Sequence, residues 1–163
     1  MEIDYRMLKM IRATLEDASV LLNVQKESFK IYRDKYGDFD SNPYNMDLHR
    51  MEFNIKYRFG QYYKLMVDDC IIGGLFAFEL DDPKVLKIAQ FYFLPLYQHL
   101  GYGKLALNNL FELNESVKTW YVDTILQEEY NVEFYKHLGF EIIDEEEEHE
   151  GLTFVTLLKK NSK

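Results

Sequence analysis

The sequence predicts one mixed α/β domain, of the α+β kind, with a mostly antiparallel sheet. Three observations carry that expectation. Helix-period and strand-period apolar segments follow one another along the chain. Three short apolar runs stand consecutively in its middle with only tight turns between them. Two more are adjacent at the end, after a short helix. A doubly wound parallel fold would alternate strand and helix throughout. At 163 residues and 47% hydrophobic content, the chain is long enough for a real core and too apolar for disorder.

The elements read in order as follows. "MLKMIRA" (7–13) alternates as a first strand. Thr14 with Asp17 suits a capping box, and the helix it opens carries Leu15, Ala18, Leu21, Leu22, Gln25 and Phe29 on one face. The stretch 33–47, "RDKYGDFDSNPYNMD", is polar, contains Gly and Pro, and reads as a loop holding Asp34, Asp38, Asp40 and Asp47. Leu48, Met51, Ile55 and Phe59 recur at helical spacing, giving a second helix that ends near Gly60. "YKLMV" (63–67) and "IIGGLFAFEL" (71–80) are strands joined by "DDC", a tight hairpin. "DDPK" (81–84) turns the chain into "VLKIAQFYFL" (85–94), which Pro95 ends. A helix from Lys104 to about Asn114 turns Leu107, Leu110 and Phe111 inward, and "TWYVDTI" (119–125) is a strand. Val132 to Leu138 is a short helix closed by Gly139, which suits the left-handed C′ position. "FEII" (140–143) and "LTFVTLL" (152–158) are the last strands, separated by "DEEEEHEG". The order is β-α-α-β-β-β-α-β-α-β-β, without repeats or a linker, so a single domain is expected over 1–163.

Composition removes several classes of function. A net charge of −9 with no basic stripe excludes a general nucleic-acid binder and allows a cationic or neutral small partner. The 13 tyrosines and 12 phenylalanines suit the walls of a ligand cleft and a plain core equally. Cys70 is the single cysteine, so no internal disulfide forms, and "CIIGG" reads as a buried strand. His49, His99, His137 and His149 are scattered without cysteine partners, so no metal site is expected. No leader is read, and no apolar run nears the ~18 residues of a membrane span. The expected location is therefore the cytoplasm, with no membrane partner.

The segment "QHLGYGKLA" (98–106) carries the most chemistry. Backbone amides that open a helix have no intrahelical acceptor and lie at the positive end of its dipole, so they suit a phosphate. The stretch scans as G-x-G-x-x-A through Gly101, Gly103 and Ala106, a dinucleotide fingerprint, with Asp123 about twenty residues on as a ribose acid. That reading fails on its surroundings, because antiparallel strands precede the glycines and too few βαβ units follow. A Walker A loop fails as well, since Leu105 follows Lys104. The same stretch also scans as P-x-x-Q-x-x-G-x-G through Pro95, Gln98, Gly101 and Gly103, after an apolar strand and before a helix. In this form "FYFLPLYQHLGYGKLALNNL" (91–110) resembles the acetyl-CoA-binding motif of the GNAT acyltransferase superfamily. "EFYKHLGFEII" (133–143) resembles the F-Y-x-x-x-G-F segment of that family, and "IRATLEDA" (11–18) its first strand and helix. The likeness covers most of the chain and is weakest over 30–60 and 144–151.

The resemblance implies a GNAT-like mixed sheet of six or seven strands, mostly antiparallel, flanked by about four helices, with a splayed strand pair holding the cofactor. It implies an N-acetyltransferase that moves an acetyl group from acetyl-CoA to a primary amine by direct attack in a ternary complex. The rival reading is a non-catalytic GNAT-like module that binds CoA or a protein partner. Phe91, Tyr92, Phe93 and Leu94 are placed beside pantetheine, and a backbone N–H near Phe93 or Leu94 polarises the thioester. The amides of His99, Leu100, Gly101, Tyr102, Gly103 and Lys104 face the pyrophosphate. The two glycines allow close backbone approach, Gln98 adds a side-chain donor, and Lys104 is either a phosphate partner or a solvated lysine. Tyr135 matches the family tyrosine that protonates the CoA sulfur and lies against the cofactor. The base is left among Glu79, Asp123, Glu128 and Glu129, or a water in place of a side chain.

One departure concerns the N-x-x-A register that many members carry seven residues before the tyrosine. Glu128 stands where that register has Asn and Asn131 where it has Ala, so Asn131 takes over the cofactor contact only if the helix starts at a different place. On the acceptor side, Asp34, Asp38, Asp40 and Asp47 form one acidic segment, and Asp144 to Glu148 with Glu150 form another. They are read either as solvated tips or as a field that draws in a cationic amine. The expected partners are therefore a small-molecule or peptide amine and no nucleic acid, with a homodimer allowed.

Overall fold

The computed structural model describes residues 7–38 and 42–161. It contains a seven-stranded, mostly antiparallel sheet and four α-helices, the fold class the sequence predicts. In chain order these are β1 (Lys9–Arg12), α1 (Ala18–Tyr36), α2 (Leu48–Lys56), β2 (Gly60–Val67), β3 (Cys70–Glu79), β4 (Val85–Phe93), α3 (Tyr102–Leu113), β5 (Thr119–Ile125), α4 (Glu129–His137), β6 (Glu141–His149) and β7 (Leu152–Lys160). The strand order is β1-β2-β3-β4-β5-β7-β6. Two compact units share these elements. One consists of residues up to Phe76 with Gln90–Leu110, the other of Ala77–Ala89 with residues from Phe111 onward.

In the first unit, β1 pairs antiparallel with β2 from Lys9↔Met66 to Arg12↔Tyr63. The β2–β3 turn is Asp68–Asp69, both left-handed at φ 50° and 63°. That is the backbone a tight hairpin needs, and aspartate tolerates it better than most residues. Helix α1 buries Ala18, Leu21, Val24, Gln25 and Ser28, one face at helical spacing. Leu15, expected on that face, is instead 46% exposed in a short 3₁₀ turn (Leu15–Asp17) ahead of α1. The Asp17 carboxylate accepts the Thr14 N–H at 2.8 Å, as the capping box predicts.

The stretch 33–47 departs from its reading as a loop. Helix α1 continues through Tyr36, with Arg33 and Lys35 favourably placed at its negative end, and stops where Gly37 turns left-handed. A further 3₁₀ turn covers Pro43–Asn45. Helix α2 ends at Lys56, and Gly60 begins β2 rather than closing a helix. Helix α3 starts at Tyr102, two residues before expectation, and buries Ala106, Leu107 and Leu110.

In the second unit, β5 pairs antiparallel with β7 from Thr119↔Lys160 to Ile125↔Phe154, and β7 pairs antiparallel with β6. Trp120, Phe140, Leu152, Val155 and Leu157 are buried in it. Two expectations are corrected. The acidic run 144–149 is strand, not connection. Glu145, Glu146 and Glu147 pair with Val155, Phe154 and Thr153, and the turn is Glu150–Gly151. Backbone pairing to β7 decides the conformation, and the charges stay exposed on the outermost strand. In the first unit, Cys70 is exposed rather than buried, because it is the first residue of β3, next to the turn.

Candidate active site

The glycine stretch lies where β4 ends and α3 begins. Leu94 N–H donates to Ile72 O at 2.8 Å, tying that residue to β3. Backbone groups alternate in direction between neighbouring residues of a strand, so the adjacent Phe93 turns its own the opposite way. On that side β4 runs parallel to β5, and the register spans Val85↔Thr119 to Ile88↔Val122, although β4 continues to Phe93 and β5 to Ile125. Of the two amides expected near a thioester, Leu94's is therefore committed to β3, which leaves Phe93's.

Beyond β4 the chain makes a 3₁₀ turn at Pro95–Tyr97 and then two left-handed steps, His99 at φ 61° and Gly101 at φ 90°. The first intrahelical bond of α3 is Leu105 N–H to Gly101 O at 3.3 Å. The N–H groups of Tyr102, Gly103 and Lys104 therefore precede the helical ladder, at its positive end. A Cβ added at Gly101 would meet nothing within 4 Å, so the room beside this backbone is open. Left-handed turns followed by free helix-opening amides form a concavity suited to an anion. The protein observation that fits a pyrophosphate is this backbone arrangement rather than any one side chain.

The side chains around the loop mostly build it. Gln98 Nε2 donates to Phe93 O at 2.9 Å, so the amide expected to reach a phosphate instead bridges the loop to the end of β4. Tyr102 is buried, with its ring stacked on Phe93 at 6.5 Å and near Tyr97 at 6.4 Å, which seats the first turn of α3. Phe91 meets Phe93 edge to face at 5.4 Å. Tyr92 points into the core, where its hydroxyl meets that of Tyr62 at 2.5 Å. Lys104 and His99 are exposed. Leu96 and Leu100 are exposed apolar residues on the same loop, at 88% and 62%.

The remaining expected site residues lie in the second unit. Tyr135 is buried on α4, its ring 5.6 Å from Phe140 and 5.2 Å from Phe134. Its carbonyl accepts the N–H groups of Leu138 (3.0 Å) and Phe140 (3.1 Å), and Gly139 is left-handed at φ 96°, so α4 ends as the sequence predicts. Lys159 Nζ donates to Leu138 O at 2.7 Å and covers that helix end. Helix α4 begins at Glu129, three residues earlier than expected, with Glu128 at its N-cap position and Asn131 in its first turn. Glu128 O accepts from Asn131 N–H (3.1 Å) and Val132 N–H (3.2 Å).

The carboxylates differ in what holds them. Asp123 is engaged at both oxygens, by Lys87 Nζ at 2.8 Å and Thr156 Oγ1 at 2.7 Å, in a row across β4, β5 and β7. Glu79 is half-exposed at the end of β3, with no ion pair or side-chain hydrogen bond among the described residues. Glu129 is exposed. Asp34 pairs with Arg33 at 2.9 Å, and Asp47 caps α2 through Arg50 N–H at 2.8 Å, so both have local structural partners. Asp38 is half-buried, and Asp40 lies outside the described residues. Among the described residues, no three metal-ligating side chains gather, and no helix is long and apolar enough to cross a membrane.

The sequence reading missed Tyr62, Gly73 and Gly74, which pack around Tyr92. The adjacent glycines inside an otherwise apolar strand were the available signal.

Comparison with known proteins bears on this geometry. The family model described as the acetyltransferase (GNAT) family matches residues 25–140. The fold is similar to the PaiA N-acetyltransferase of Thermoplasma acidophilum in complex with coenzyme A, at TM-score 0.74 and 18% identity, covering 95% of this chain and 99% of that one. It is also similar to the ribosomal-protein-S18-alanine N-acetyltransferase of Escherichia coli, at TM-score 0.77 and 11% identity, covering 94% of each chain. A spermidine N-acetyltransferase chimera from Vibrio cholerae and hSSAT gives TM-score 0.74 and 15% identity, over 94% of this chain and 95% of that one. No curated protein sequence matches significantly.

Proposed function

Because this chain belongs to the acetyltransferase (GNAT) family, we propose that it transfers the acetyl group of acetyl-CoA to a primary amine of a small molecule or peptide. The amine attacks the thioester carbon directly in a ternary complex, the C–N bond forms, the C–S bond breaks and the thiolate takes up a proton. The observation that carries this reading is the β4–α3 connection, where left-handed His99 and Gly101 lead into free helix-opening amides beside open space. The family match runs through residues of both compact units, which supports a single catalytic domain over 1–163. A cytoplasmic location belongs to the same reading.

Each residue then has a defined task. Backbone N–H groups from His99 to Lys104, with Leu100, Gly101, Tyr102 and Gly103 between them, hold the pyrophosphate, and Lys104 adds charge. Gln98 keeps the end of β4 and the loop in one piece. Phe91 and Phe93 offer backbone groups to pantetheine, with Leu94 and Tyr92 supporting them from the β3 side. Phe93 N–H polarises the thioester carbonyl, a fixed dipole aimed at the charge that develops there. Tyr135 protonates the leaving sulfur, and Asn131, in the first turn of α4, contacts the cofactor. Glu79 is the favoured base, directly or through water, because its carboxylate is not tied to a cation. Asp123 would first have to leave Lys87 and Thr156. The acceptor is a cationic amine if the exposed acidic strand β6 steers it.

Thermal unfolding with CoA, acetyl-CoA and NAD tests the reading. A ligand that binds only the native state at about 100 times its Kd adds about 2.7 kcal/mol, or roughly 5–10 °C for a chain of this size. CoA and acetyl-CoA are expected to give such a shift and NAD none. Stabilisation by NAD alone contradicts the assignment. Stabilisation by CoA with no acetylated amine favours the binding module instead.

A further inference from the structure

Strands β2, β3 and β4 are consecutive in the sheet, and two tyrosines meet across the middle one. A Cβ at Gly74 on β3 would collide with the Tyr92 phenol oxygen and the ring carbon that bears it. A Cβ at Gly73 would collide with the Tyr92 carbonyl oxygen. The missing side chains let β4 approach β3 closely and let Tyr92 reach over Gly74 to Tyr62 on β2. The hydroxyls are 2.5 Å apart. Tyr62 is stacked on Phe76 at 5.3 Å, and Tyr92 lies 5.8 Å from Phe29 of α1, with both tyrosines buried. Burial pushes both phenols well above their ordinary range, so the bond persists at every pH at which the protein would be assayed.

We propose that Tyr62 and Tyr92, meeting over Gly74, are positioning residues that fix the end of β4 for the acyl donor. This rests on the acetyl-CoA reading above. Tyr92 stands next to Phe93, whose backbone groups face away from β3. Anchoring its side chain on the core side, together with the Leu94–Ile72 bond, restrains rotation of β4 about its own axis. That restraint sets the direction of Phe93 N–H. Misplacing such a dipole by about 1 Å costs as much as 100-fold in rate.

The test uses Tyr62→Phe, Tyr92→Phe and the double variant. Each single change leaves one buried hydroxyl without its partner and lowers Tm, whereas the double removes both and returns Tm toward wild type. A pair that only stabilises the core would recover everything along with Tm. The proposal instead expects faster exchange of the Leu94 amide, which is held by Ile72 O, in all three ligand-free variants. It also expects CoA affinity, by calorimetry, to be weaker by about 5-fold or more in the double despite its recovered Tm. Wild-type exchange and wild-type CoA affinity in the double would overturn the positioning role while leaving the acetyl-CoA reading intact. Faster exchange in the variants of a protein whose wild type does not bind CoA would overturn both.

Discussion

Gly101 shows how one residue joins backbone conformation to binding. Its φ of 90° is a region that L side chains enter only with strain, yet the space beside it is open. Gly151, in the β6–β7 turn, shares both properties at φ 89°. Alanine at either position therefore adds about 1–2 kcal/mol of backbone strain and no clash, lowering Tm by several degrees. Only Gly101→Ala is expected to weaken CoA binding as well, because only there does the backbone face the proposed ligand. Calorimetry on the two variants separates strain from recognition, and equal CoA affinity in both would remove Gly101 from the site. The conformation of Gly101 was legible in the sequence, since a glycine motif before a helix implies it. The pairing of Tyr62 with Tyr92 was not, because it joins residues 30 apart across a strand that lacks side chains at Gly73 and Gly74. The engagement of Asp123 was equally hidden, since Lys87 and Thr156 reach it only through strand register.

At the scale of elements, strands with strong apolar patterns were read closely and polar ones were not. β5 has the predicted limits, and β3 and β4 lie within a residue of theirs. Helix α1 outran its reading because residues 33–36 include the good helix formers Arg33 and Lys35, and the helix stops only at Gly37. β6 is the plainest case. Five consecutive acids carry no alternation, and their strand conformation comes from pairing with the apolar β7. An acidic outermost strand resists edge-to-edge association, at a cost in repulsion between its own carboxylates. Replacing Glu145, Glu146, Glu147 and Glu148 with Gln is expected to raise Tm at low salt, with the gain vanishing near 1 M, where screening acts within about 3 Å. The same variant is expected to raise the KM of a cationic acceptor such as spermidine at low salt. A KM that does not change at any salt concentration would show that the strand is a solvated edge with no steering role.

For the whole molecule, the seven strands and four helices follow from the element sequence, and the family assignment from motifs at two separated places, 91–110 and 133–143. What the sequence left open was chemistry that depends on facing groups: which amide is free, which carboxylate is tied, and what the acids of β6 are for. In the structure the Leu94 N–H is bonded to β3, and the tied carboxylate is Asp123, held by Lys87 and Thr156. The acceptor follows from chemistry rather than from fold, since similar folds serve a ribosomal protein alanine in one protein and spermidine in another. The most direct measurement is incubation of the wild-type protein with acetyl-CoA and a panel of amines, including spermidine and a peptide with a free N-terminal alanine. Thiol release and amine mass are followed together. The account predicts one free thiol for each amine that gains an acetyl group. Thiol release without an acetylated amine, or CoA binding with neither product, would contradict it.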